Sequence, residues 1–193
     1  MKSFRRLLKN RSGFTLGEVM ICMLILLLIT AVVAGAIPAA GSAYRNAVDA
    51  ANAQTLLSTA ISALRDEFST AGLVSVTVPE GGGDATTCTV TYRRAATYSL
   101  TRLRLVAEDG FWIQDYVDPD STWEKTKSED PDSFRRLVSR ETATANLYLD
   151  CDGIVYDAET GVITFQNLTV KRPGTAQPLA SADGLSIRVI DPS

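Results

Sequence analysis

Glu18 is the only carboxylate at the edge of a long apolar run, because no charged residue occurs from position 19 to position 44. A carboxylate near the interior of a membrane costs roughly 2.5–3.5 kcal/mol on insertion scales, so such an acid usually has a partner. In a helix, a cation four residues away lies within reach of it. The chain has no histidine, which excludes Ser-His-Asp and Cys-His catalysis and most zinc sites.

The charge of the chain is divided unevenly along its length. The first thirteen residues contain no acid and five basic residues, namely Lys2, Arg5, Arg6, Lys9 and Arg11. Without these five, the chain has 14 basic and 22 acidic side chains, a net charge of −8. An acidic remainder without a basic stripe argues against nucleic acid as the primary partner. The basic head is expected to stay on the cytoplasmic side of a membrane.

The uncharged run from position 19 to position 44 is 26 residues long. As a helix it would reach about 39 Å, which exceeds the ~30 Å apolar core of a bilayer. Three interpretations follow from a basic head before an apolar run. The run could be an ordinary signal peptide cut after the small residues 34–36, a permanent membrane anchor, or the segment that follows a leader cut before the apolar run.

Residues 13–19, GFTLGEV, resemble the cleavage and methylation site of type IV pilins and pseudopilins. In that family a basic leader ends in glycine, a peptidase cuts after it, and the new N-terminal residue is usually phenylalanine. A glutamate stands fifth in the processed chain. Gly13, Phe14 and Glu18 hold these positions, and Thr15 and Leu16 match as well. Gly17 departs from the pattern, since the family usually has a larger apolar residue there. The resemblance is specific over residues 2–34.

The resemblance implies a role for each of the three matched residues. The leader would be cleaved between Gly13 and Phe14, and the new amine of Phe14 would be methylated. Glu18 would pair with that amine in its own chain or in a neighbouring subunit, as an assembly residue. Such a buried pair sets register more reliably than it adds stability. An acid that merely snorkels to the membrane surface remains the alternative.

The residues after the leader predict one long helix from Phe14 to about residue 71, with Gly72 as its terminator. Gly35, Pro38 and Gly41 predict a break in this helix, because proline removes a hydrogen bond and glycine lowers helix propensity. The second half is amphipathic, with apolar residues at the spacing of one helix face. These residues are Leu56, Leu57, Ala60, Ile61, Leu64 and Phe68.

The rest of the chain predicts antiparallel β-structure, because short runs rich in β-branched and aromatic residues alternate with glycine-containing turns. Residues 118–133 carry too many charges and prolines for a strand and predict an exposed loop. Strands after one helix imply an α+β fold, with the long N-terminal helix packed on an antiparallel sheet, which is the pilin architecture. The predicted divisions are a leader 1–13, a membrane or filament-core helix 14–43, an amphipathic helix 44–71 and an exported β-rich domain 72–193.

Three cysteines and one acidic turn complete the candidates. Cys22 lies in the apolar run and is expected to be a small apolar filler. Cys88 and Cys151 lie in the part predicted to be exported, where oxidation is permitted, so a disulfide and two free thiols both stay open. Asp150, Asp152 and Asp157 form an acidic stretch that could bind calcium, but their spacing matches no known loop. A solvated turn is therefore favoured, and no metal or other cofactor is expected.

The sequence thus predicts a type IV pilin-like structural subunit and not an enzyme. Its expected partners are a prepilin peptidase, membrane lipid, other pilin subunits and the assembly machinery of a pilus or secretion system. We expect a single pass through the cytoplasmic membrane, an exported C-terminal domain, and a surface or periplasmic filament after assembly. The acid-rich residues 118–133 favour a minor component over a major pilin or a pseudopilin. An exported or membrane-anchored binding domain behind an ordinary signal peptide is the alternative.

Overall fold

The computed structural model describes residues 15–77, 88–94, 96–117, 123, 130–138 and 146–189. Within these ranges, one α-helix is followed by nine β-strands. The chain divides into two compact units, Met1–Ala47 and Val48–Ser193, and the helix contributes to both. The expected α+β class, with a long N-terminal helix and antiparallel β-structure, is confirmed.

Helix α1 comprises Leu16–Ser69 and is continuous through Gly35, Pro38 and Gly41. The predicted interruption is therefore not present in the structure. Pro38 lacks the N–H that would donate to the carbonyl of residue 34, so one hydrogen bond is lost there. Helix propagation is cooperative, and the long helical runs on both sides of Pro38 keep the remaining hydrogen bonds.

The first sheet is antiparallel and contains β1 to β5 in sequential order. Its strands pair as a meander, in which Val90 on β2 lies opposite Leu103 on β3, and Leu103 lies opposite Ile113 on β4. Because side chains alternate between the faces of a strand, these three side chains share one face. The strands are β1 (Ala71–Thr77), β2 (Thr89–Arg94), β3 (Leu100–Val106), β4 (Gly110–Gln114) and β5 (Phe134–Arg136).

The second sheet is built around β8 (Val162–Lys171). On one side, β8 pairs antiparallel with β9 (Ala180–Arg188). It also pairs with both β6 (Tyr148–Asp150) and β7 (Gly153–Asp157) in one continuous register. The intervening Cys151 and Asp152 face a distortion in β8, where Asn167 has a positive φ of 46°. Asparagine tolerates this left-handed conformation better than most residues.

The core of the second unit lies between α1 and the two sheets. The amphipathic half of α1 buries Ala53, Leu56, Leu57, Ala60, Leu64 and Phe68, as its apolar spacing predicts. Phe68 contacts Tyr92 of the first sheet and Phe165 of the second, with ring centroids 4.9 Å and 5.7 Å away. Burying a side chain of this size contributes roughly 1.5–3 kcal/mol. Phe68 therefore helps to hold both sheets on the helix.

The structure differs from the sequence-based expectation in three places. There are two sheets where one was expected, and Gly72 lies within β1 instead of ending the helix. The short strand β5, Phe134–Arg136, was not predicted. Most of residues 118–133 lies outside the described residues, but Trp123 is buried, with its ring against Phe134 and Arg104. That side chain is thus not part of an exposed loop.

Candidate functional site

The candidate site is the start of α1. Gly13 and Phe14, the residues predicted to flank the cleavage, lie outside the described residues. The described chain begins at Thr15, and the helix begins one residue later. Glu18 is therefore placed by the structure in the first turn of the helix.

Thr15 and Glu18 satisfy each other's polar groups in a reciprocal arrangement. The Glu18 Oε2 accepts hydrogen bonds from the Thr15 backbone N–H at 2.8 Å and from the Thr15 hydroxyl at 3.0 Å. The Glu18 backbone N–H donates to Thr15 Oγ1 at 3.3 Å. This is a capping box, in which an N-cap threonine and a glutamate three residues later satisfy two otherwise unpaired backbone donors.

The capping box also fixes where the Glu18 charge lies. An anionic group at the N-terminus of a helix is stabilised by the helix dipole. The carboxylate is bound to the nitrogen of Thr15, and the nitrogen of Phe14 is only three covalent bonds further along the chain. A cationic amine formed at Phe14 would therefore arise within a few ångströms of a carboxylate that is already held in place. This arrangement is suited to pairing an ammonium with a carboxylate.

The helix that follows Glu18 presents an apolar surface. All residues from 15 to 48 are exposed, and large apolar side chains such as Leu26 and Leu27 are 63% and 70% exposed. The most apolar 18-residue window of α1 has a mean hydropathy of 2.9, and α1 is long and apolar enough to cross a membrane. Contiguous exposed apolar surface of this extent marks a membrane or protein contact.

The other candidate residues lie elsewhere in the chain. Cys22 is an exposed residue of the apolar helix, whereas Cys88 and Cys151 are buried in the core and are free thiols in the structure. None of these three side chains is part of the capping box.

The acidic stretch does not converge on one point. Asp150 binds Lys171 Nζ at 2.7 Å, Asp152 accepts a hydrogen bond from Asn167 at 2.8 Å, and Asp157 caps its own turn through Thr160. Within the described parts of the chain, no group of three metal-ligating side chains is placed to hold an ion. The three carboxylates therefore have separate structural roles in the second sheet.

The capping role of Thr15 was missed by the sequence reasoning, which recorded it only as a residue that fits the motif. A usable signal was present, since threonine followed three residues later by glutamate before an apolar run predicts a capping box. The structure makes Thr15 the residue that positions Glu18.

Comparison with known proteins bears on this same region. The family model for the prokaryotic N-terminal methylation motif matches residues 8–34. No curated protein and no solved structure shows significant similarity to the chain. The match spans the end of the basic head, Gly13, Phe14, the capping box and the first turns of the apolar helix. The chain therefore carries the prepilin-type N-terminal methylation motif of type IV pilins and pseudopilins, on a helix apolar enough to anchor it in a membrane.

Proposed function

We propose that this chain is a type IV pilin-like structural subunit that a prepilin peptidase cleaves between Gly13 and Phe14. The new amine of Phe14 is then methylated, and the subunit assembles through α1 into a pilus or pseudopilus. The observation that carries the proposal is the matched motif at residues 8–34, which continues directly into an exposed apolar helix. Before assembly, the bilayer covers this apolar surface, and the β-rich unit is exported.

The capping box supports a specific role for Glu18 in assembly. In a filament, the bilayer around the apolar helices is replaced by neighbouring helices, and water is nearly absent. The cationic amine of Phe14 then requires an anion, and the nearest one in its own chain is Glu18, held by Thr15 at 2.8 Å. The same carboxylate in a neighbouring subunit serves equally well if the axial offset between subunits matches. When the pair forms between subunits, only one register between helices leaves no unpaired charge.

We further propose that the subunit is a minor component of its filament. The acid-rich residues 118–133 would bring like charges together if identical subunits packed side by side along a whole filament. An occasional subunit avoids this repulsion. Labelling the protein in assembled filaments tests this point, because a minor component marks a few positions and a major pilin marks the entire length.

The cleavage is tested by the N-terminus of the mature protein. The full chain is expressed with a prepilin peptidase, and its N-terminal residue and intact mass are determined. The proposal requires a chain that begins at Phe14 and carries one added methyl group. A chain that begins near Ile37 would instead support an exported binding domain behind an ordinary signal peptide, and it would overturn the proposal.

The role of Glu18 is tested with Glu18→Leu. Cleavage and membrane insertion should continue, because the residue lies beyond the cut and the segment becomes more apolar. Incorporation into filaments should fall sharply, since an unpaired buried cation typically costs about 3–5 kcal/mol. Thr30→Val is the matched control, because it also makes the helix more apolar, keeps nearly the same shape and removes no charge. Normal incorporation of Glu18→Leu would contradict the role proposed for this carboxylate.

A further inference from the structure

Cys88 and Cys151 belong to different sheets but to the same buried core. Cys88 immediately precedes β2 of the first sheet, and Cys151 immediately follows β6 of the second. Each residue is 4% exposed, and both belong to one hydrophobic cluster. They are 63 positions apart in the sequence, so only the tertiary structure brings them into one neighbourhood.

The chain on both sides of Cys151 contacts the first sheet. Leu149 lies against β4, because a Cβ built on Gly110 would be 3.6 Å from its backbone nitrogen. The strand β7, which begins at Gly153, contacts β1. Cys151 therefore lies, along the chain, between a residue packed on β4 and a strand that contacts β1.

The register of the first sheet points Cys88 into the core. Extending the pairing of β2 with β3 by one residue sets Cys88 opposite Leu105, which in turn lies opposite Phe111 on β4. Leu105 and Phe111 are buried on the core face, and alternation along β2 points Cys88 to that face with Val90 and Tyr92. Cys88 thus points into the same buried cluster that contains Cys151.

The electrostatics of the thiols agree with this placement. The pKa of the Cys151 thiol is raised to about 12, first by burial and then by the neighbouring charges of Asp150 and Cys88. A protonated, buried thiol is a poor nucleophile, so Cys151 is unreactive in the folded chain. Any bond between the two sulfurs must therefore form while the strands are still accessible, during folding.

We infer that Cys88 and Cys151 form an intramolecular disulfide that joins the two sheets, made as the second unit folds outside the cytoplasm. The oxidant is a protein or small-molecule disulfide. One thiolate attacks it and forms a mixed disulfide, and the second thiolate displaces the reduced oxidant. The two cysteines lose two protons and two electrons, and the oxidant's disulfide takes them up as two thiols. The inference rests on the proposed export of this unit.

The bond is tested on the full chain in detergent micelles. The protein is isolated from cells, its thiols are blocked with N-ethylmaleimide in denaturant, and its peptides are mapped before and after reduction. We expect the peptides of Cys88 and Cys151 to be joined, and maleimide to appear only on Cys22. The intact protein should be lighter than its reduced form by two hydrogen atoms. Maleimide on both Cys88 and Cys151 in protein shown to be exported would overturn the inference.

A second experiment tests the disulfide independently of the proposed function. Reduced, denatured full chain is refolded in micelles with oxidised glutathione, which supplies the oxidant whether or not the cell exports the protein. Bridge formation here, together with an N-terminus other than Phe14 in cells, would contradict the proposed processing but not the disulfide. Two free thiols after this refolding would contradict the disulfide whatever the N-terminus is.

The thermal midpoints of cysteine variants, measured with and without reduction, provide the control. Reduction should lower the thermal midpoint of the wild-type chain by about 5–15 °C, because the bond closes a long loop. It should leave the midpoint of the Cys88→Ala/Cys151→Ala variant unchanged, while Cys22→Ala should respond to reduction as the wild type does. An equal response in the double variant would show that reduction acts elsewhere and would refute the bridge.

Discussion

The carboxylate of Glu67, near the end of α1, accepts a hydrogen bond of 2.8 Å from the hydroxyl of Tyr92 on β2. The same carboxylate pairs with Arg94 and, at 3.0 Å, with Arg135 on β5. Asp115 binds both arginines, at 2.9 Å and 3.0 Å. The side chain of Glu67 is only 12% exposed. These contacts attach the last turns of the helix to both the second and the fifth strand of the first sheet.

Replacement of Glu67 by glutamine should destabilise the protein by about 1–3 kcal/mol, because hydrogen bonds to a charged, largely buried acceptor are lost while the donors stay in place. Glutamine keeps the size of the side chain, so no cavity forms. The measurement is the free energy of unfolding of the full chain in micelles, by urea titration. Glu159→Gln, in the exposed turn after β7, is the control and should change stability by less than about 0.5 kcal/mol. Equal values for the two variants would refute the role given to this network.

The stabilisation by Glu67 should depend on pH. Burial tends to raise the pKa of this carboxyl, but hydrogen bonds from Arg94 and Tyr92 outweigh burial and lower it from its ordinary value of 4.5. A lowered folded-state pKa gives stability that is complete above the unfolded-state pKa and is lost as the pH falls through the folded-state value. Burial raises the pKa of Tyr92, so its hydroxyl remains a donor throughout.

The pH dependence is measured as the difference in unfolding free energy between wild type and Glu67→Gln. This difference should be constant between about pH 7 and pH 5 and should shrink below about pH 4.5, as the wild-type carboxylate becomes protonated. A difference that persists unchanged to about pH 3 would mean that the charge of Glu67 contributes nothing to folding.

Thr15→Val should weaken the first turn of α1. Valine has nearly the shape of threonine but lacks the hydroxyl that binds Glu18 at 3.0 Å and accepts its N–H at 3.3 Å. Loss of an N-cap hydroxyl typically costs ~1 kcal/mol, which corresponds to about a fivefold change in an equilibrium. Amide hydrogen exchange of Glu18 in micelles should therefore accelerate about fivefold. Thr15→Ser, which keeps the hydroxyl, should exchange like the wild type.

Gly13→Val should leave the leader attached. The peptidase must approach the backbone at this residue, and a β-branched side chain would obstruct that approach, whereas Gly13→Ala adds only a methyl group. The mature mass of the Val variant should correspond to the full chain, and the variant should be absent from filaments. A Val variant that still begins at Phe14 would place the cleavage determinant somewhere other than this glycine.

Local patterns in the sequence predicted the long helix and most of the β-structure. The spacing of Leu56, Ala60, Leu64 and Phe68 predicted the buried face of α1 correctly, because an α-helix repeats every 3.6 residues and one face must leave water. The antiparallel β-structure after the helix was predicted from short runs rich in β-branched and aromatic residues. Phe134–Arg136 was missed because three residues are too few for any alternation to register, and a strand this short forms only where β4 offers it a partner.

The motif was equally a matter of sequence, because it consists of residues close together in the chain in a fixed order. The negative charge of Glu18 and its separation of four positions from Phe14 could be read directly from the sequence. The hydrogen bonds from Thr15 required the structure, although the spacing that produces them was visible.

The long-range relationships were decided by the tertiary structure alone. The division into two sheets depends on β8 gathering β6, β7 and β9 around it, and no local pattern records which strands will pair. The network of Glu67 joins residues up to 68 positions apart, and one buried cluster contains both Cys88 and Cys151. The physical reason is the same in each case: periodicity and propensity act between near neighbours in the chain, whereas partners across a core are selected by packing of the whole.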